Sequence, residues 1–125
     1  MQSLLYVGAN GHVGIGIMDT KGYKLAVAGE MIAERVKVEK QSNWADFVFQ
    51  PEYKLPPLSE VESFIRYNRH LPEIPTAAEV EKNGFDLGDM NKKLLQKIEE
   101  LTLYMIDLKK ENTELRSRVE KLEKQ

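Results

Sequence analysis

A chain of 125 residues, 42% hydrophobic and 30% charged, has room for one small domain with an extended segment attached. Its 18 basic and 20 acidic residues give a net charge of −2, which excludes binding to nucleic acid or to an acidic membrane surface by charge alone. Cysteine is absent, so disulfides, thiolate metal sites and cysteine nucleophiles are excluded together, while the redox compartment stays open. No apolar run reaches the ~18 residues of a membrane span. The opening MQSLLYVG also lacks the basic region and long apolar stretch of a signal peptide. The expectation is a chain without membrane insertion, soluble and intracellular when made, or a piece of a longer protein whose targeting lies elsewhere.

Residues 1–40 are glycine-rich and read as short strands. Val13, Ile15 and Ile17 alternate with glycines, Leu25 and Val27 alternate with Lys24 and Ala26, and Val36 and Val38 alternate with Arg35, Lys37 and Glu39. Two or three short strands do not close a core alone, so their apolar faces need a partner, expected to be another copy of the chain. Within this zone Val7-Gly8-Ala9-Asn10-Gly11-His12-Val13-Gly14 follows strand-like Leu4-Leu5-Tyr6 and has the spacing of a dinucleotide-binding turn. Such a turn needs a helix after it to face the pyrophosphate, and Gly16, Asp19 and Gly22 break the next residues into another turn instead. No cofactor is expected.

Residues 41–85 form a collar rich in proline, with the aromatic segment Trp44-Ala45-Asp46-Phe47-Val48-Phe49 and two short helices. Ser59 with Glu62 and Thr76 with Glu79 each fit a capping box, in which hydroxyl and carboxylate satisfy the helix's first free amides. The first helix should run to about Asn68 and the second should stop at Gly84. Between them His70-Leu71-Pro72-Glu73-Ile74-Pro75 should be extended, because the residue before a proline is pushed out of the α region. Trp44, Phe47, Phe49 and Tyr53 are expected to pack inward as core aromatics. The alternative makes Trp44 and Tyr53 a recognition surface for protein or carbohydrate.

From residue 86 to 125 the apolar spacing runs four-three without a break. Leu87, Leu94, Leu101, Leu108, Leu115 and Leu122 occupy the d positions of a heptad repeat, with Asn91, Ile98, Met105, Asn112 and Val119 at a. In a parallel arrangement Glu111 at g faces Arg116 at e of a neighbour, and Arg118 faces Glu123, both attractive pairs. A parallel coiled coil is therefore expected, with Asn91 and Asn112 as candidates for fixing register. Leucine at d with asparagine at a suits two strands. Between Leu94 and Leu108, however, Leu95, Leu103, Tyr104 and Ile106 widen the apolar surface, which suits three strands or docking of the aromatic segment onto the coil. Dimer and trimer both stay open on these grounds.

Other motifs are weak. A basic-zipper reading requires a basic helix running into the coil, and residues 79–90 hold one lysine among four carboxylates. His12 and His70 have no ligand partners at metal-binding spacing, Asp86 and Asp89 read as helix amino-terminal charges, and no metal is expected from one chain. Ser42, Ser59 and Ser63 lie in no nucleophile motif, so no catalytic residue is assigned and an enzyme is not expected.

Gly11-His12-Val13-Gly14-Ile15-Gly16, followed by Tyr23-Lys24-Leu25-Ala26-Val27-Ala28-Gly29, resembles the GNVGIG…YKLDVxG element of phage-tail-fibre-like proteins. The run from Trp44 through Tyr53-Lys54-Leu55-Pro56-Pro57-Leu58 and His70-Leu71-Pro72 to the coil is similar to the carboxy-terminal part of such proteins, so the resemblance covers nearly the whole chain. It implies an α+β homotrimer with an interchain β segment, a small collar and a terminal helical bundle. It further implies a structural assembly role at the tip of a fibre on a virion or bacterial surface. The expected partners are copies of the chain itself, an upstream fibre segment and a cell-surface receptor or glycan. Glu79-Val80-Glu81 before a helix is also reminiscent of the self-cleaving chaperone domains of trimeric fibres. Ser42-Asn43 lacks the aspartate of their serine-aspartate start.

Overall fold

The structure is a computed structural model that describes residues 4–39 and 42–125. Its architecture is α+β, in two compact units, residues 1–37 and 38–125.

The first unit is a three-stranded sheet. Strands β1 (Leu5–Val7) and β2 (Val13–Ile15) are antiparallel, with Tyr6 opposite Gly14. The Gly8 amide donates to the His12 carbonyl at 2.9 Å, and Gly11, at φ 81°, donates to the Gly8 carbonyl at 2.9 Å. The glycine-rich turn thus links two strands, with no helix after it. Strand β3 (Leu25–Val27) lies parallel to β2, Gly14 opposite Ala26. The crossover, residues 16–24, is shorter than the ~12 residues or more that such connections usually take. It is compacted by a turn in which Tyr23 donates to the Thr20 carbonyl at 2.9 Å, with Lys21 (φ 54°) and Gly22 (φ 86°) both left-handed. Positive φ at both central residues is the type I′ signature, and the Asp19 carboxylate accepts the Lys21 amide at 2.9 Å.

Two expectations for this zone are corrected. Ile17 is not part of β2, because Gly16 at φ 72° bends the chain after Ile15. No strand forms at Val36–Val38; residues 28–39 have no regular element and are exposed. Alternation makes a strand only where another strand supplies the ladder, and among the described residues no strand is formed alongside these.

The second unit is helical. After a 3-10 turn at Ala45–Phe49 come α1 (Leu58–Asn68), α2 (Ala77–Asn83) and α3 (Leu87–Glu123). Helix α2 starts and stops where its signals lie. The Thr76 hydroxyl accepts the Glu79 amide at 3.1 Å, and Gly84 closes the helix at φ 67°. Asp86 caps α3 by accepting the Asp89 amide at 2.7 Å. Helix α1 differs from expectation. Pro57, extended at ψ 145°, is its cap, leaving Ser59 inside the first turn. A proline cannot continue the helix backwards but can start one, so the double proline and not the hydroxyl sets the boundary.

The segment between α1 and α2 is also corrected. It folds into a tight turn, with Ile74 donating to the Leu71 carbonyl at 3.3 Å. Pro72 takes the second position and Glu73 the third, at φ 69°, where a type II turn normally places glycine. The buried hydrophobics of the unit are Ala45 and Val48, not the aromatics: Trp44 is 49% exposed and Phe49 54%. In a 3-10 turn residues three apart share a face, so turning Ala45 and Val48 inward leaves their neighbours outside.

Candidate functional site: the open seam of the long helix

The 3-10 turn packs against α3. Gly88, at e in the first turn of α3, is buried, and in the heptad frame the covered side chains are Gln96 at f, Glu99 at b and Glu100 at c, each 7% exposed. Around a helix these positions lie opposite the a/d stripe. The seam residues Leu87, Leu94, Ile98, Leu101, Met105, Leu108, Leu115, Val119 and Leu122 are all exposed within the single chain, Leu101 at 59%. Asn91 and Asn112 are exposed as well. Leu95, Leu103 and Tyr104, which widen the apolar surface, are half-buried, and the collar docks on their side of the helix.

Polar side chains pin the collar to α3. The Tyr53 hydroxyl donates to Glu100 Oε1 at 2.6 Å, and Gln96 Nε2 donates to the same oxygen at 3.0 Å and to Glu73 Oε2 at 2.8 Å. Lys97 Nζ donates to Glu100 Oε2 at 3.2 Å and stands 3.8 Å from Glu73. The Tyr104 hydroxyl donates to the Pro56 carbonyl, and Lys92 Nζ to the Ser42 carbonyl at 2.8 Å. The left-handed backbone of Glu73 carries a cost of about 1–3 kcal/mol. It delivers the carboxylate to Gln96 and Lys97.

Electrostatics follow from these contacts. Burial, then the hydrogen bond to Glu100, pushes the Tyr53 phenol up to about 12. Burial also pushes the Glu100 carboxyl up, but the hydrogen bonds from Tyr53 and Gln96 and the charge of Lys97 outweigh it and leave the group below its ordinary range. Its neighbour Glu99 goes the other way, raised by burial and by Asp46 on the 3-10 turn, and its Oε2 is buried without a hydrogen-bond partner. Burial raises Tyr104 too.

The structure separates the two recognition candidates. Trp44 is half-exposed at the start of the collar, whereas Tyr53 is committed to Glu100. The clamp residues Gln96, Lys97 and Glu100 are unmarked in the sequence, because polar residues at f, g and c are what any solvated coiled-coil face carries, and Glu73 reads there only as part of an extended, proline-bounded segment. His12 in the first unit lies 3.1 Å from the buried Thr20 hydroxyl. Among the described residues no group of three or more His, Asp or Glu side chains converges as a metal site, and no helix is long and apolar enough to cross a membrane. Comparison with family models, with curated proteins and with solved structures finds no match to this chain.

Proposed function

We propose that this chain is a trimerisation and assembly module, the distal end of a fibre-like phage-tail or bacterial surface protein, in which α3 forms a parallel coiled coil. The observation that carries the reading is the division of α3. The collar takes the face opposite the a/d stripe and leaves that stripe open along the helix. A monomer gains nothing from a repeat of exposed leucines over some 55 Å of helix. Each leucine removed from water contributes ~1.5–3 kcal/mol, and the pairs Glu111–Arg116 and Arg118–Glu123 favour parallel copies. Association also raises the effective concentration of the short β segments, whose exposed apolar residues then pair between chains. The choice of three copies over two follows the resemblance to tail-fibre-like proteins.

The test is the double variant Leu101→Asp with Leu108→Asp, followed by circular dichroism and light scattering. The reading predicts loss of association and of most helicity beyond the collar. An associated, fully helical double variant would sink it.

A further inference from the structure

One apolar feature lies outside the seam. Between α1 and α3 runs a groove of about 230 Å³, walled by Leu58, Val61 and Ile65 on one side and by Leu101 and Tyr104 on the other. Its walls are incompletely covered, Leu58 being 49% exposed. Leu101 belongs both to the groove and to the d positions, so the groove continues the seam sideways onto the g and c flank of α3. The opposite flank carries a matching oddity. Among the exposed large hydrophobics of α3, Ile106 is the one that sits at neither a nor d; it is at b, 44% exposed, just beyond the stretch that the 3-10 turn covers.

In a parallel coiled coil the g flank of one helix meets the e flank of its neighbour, beside which the neighbour's b residues lie. In parallel copies aligned in register, Ile106 of one lies only two residues, ~3 Å along the axis, beyond the level of Tyr104 of the other. We propose that the groove is an intersubunit socket: Ile106 of a second copy seats against Leu58, beside Leu101 and Tyr104. The occupant is a copy of this chain and not an unrelated peptide. The groove opens directly from the seam, and the Glu111–Arg116 and Arg118–Glu123 complementarity already selects a parallel copy. The collar then acts twice, clamping its own helix through Tyr53 and Glu100 while gripping its neighbour's through α1. This inference rests on the assembly reading above.

The absence of cysteine from the chain makes the test clean. Leu58→Cys chains and Ile106→Cys chains are refolded together and oxidised, with Leu108→Cys chains oxidised alongside as the seam control. The socket predicts a covalent two-chain band from the Leu58/Ile106 mixture that neither variant gives alone, because a disulfide forms only when the Cβ atoms approach to ~3.5–4.5 Å. It also predicts that Ile106→Asp weakens association, while Thr113→Asp, the next b position, does not. A Leu108 band without the Leu58/Ile106 band, or equal effects of the two aspartates, overturns the socket and leaves the parallel assembly standing. No Leu108 band removes the assembly reading, and the socket with it.

Discussion

Glu99 and Glu100 are neighbours in sequence and equally buried, yet their surroundings make them opposites. Glu100 meets donors from Tyr53, Gln96 and Lys97, whereas Glu99 meets the carboxylate of Asp46 and leaves one oxygen unpartnered. The lowered Glu100 group contributes stability that is present above its ordinary value near 4.5 and is lost as pH falls through the folded value. The raised Glu99 group has the reverse sign, with stability present below about 4.5 and lost as pH rises through the folded value. Glu100→Gln should therefore cost about 1–3 kcal/mol at neutral pH, since its donors lose a charged acceptor. Glu99→Gln should be neutral or stabilising by on the order of 1 kcal/mol, because it removes a poorly solvated charge. Urea unfolding of both variants from pH 3 to 8 checks the pair, and equal losses would contradict the assignment. At the alkaline end, Tyr53 stays protonated to about 12, so its contribution falls as pH rises from near 10 through that value. None of this was legible in the sequence, where both glutamates occupy ordinary outward heptad positions.

At the scale of elements, the sequence announced those with strong local chemistry. An unbroken heptad with no later proline placed a long helix over residues 86–125, where the structure has α3 at Leu87–Glu123 with Asp86, read as an amino-terminal charge, as its cap, and Thr76 with Gly84 bounded α2. Its misreadings came where two local signals compete or where a partner is needed. At α1 the proline outranked Ser59, and at Glu73 the turn accepted a non-glycine residue whose carboxylate the clamp holds. At Val36–Val38 alternation alone did not make a strand. The sheet depends on one glycine above the others. Gly14 is buried opposite Tyr6, and a β-carbon there would collide with the Ile17 carbonyl oxygen. Gly14→Ala should disrupt the β1–β2–β3 sheet while leaving the helical unit folded. Amide exchange would then accelerate at the paired strand amides and stay unchanged in α3 up to Leu103. Uniform slow exchange in the variant would show that the sheet tolerates the side chain.

For the whole molecule, the balance between covered and open surface is the main result. The collar buries polar as well as apolar residues on one side of α3, and the other side displays Leu94, Ile98, Leu101 and Met105 to water. The heptad made the open stripe legible from residue identities alone. The docking of the aromatic segment stood in the sequence only as an alternative to a third strand, because Leu95, Leu103 and Tyr104 fit either explanation. The central claim is that the open stripe is covered by other copies of the chain, and sedimentation equilibrium across a concentration series tests it most directly. The account predicts a single species at three times the 14.4 kDa chain mass, dissociating on dilution; a fully helical species that stays at 14.4 kDa at every concentration would contradict it.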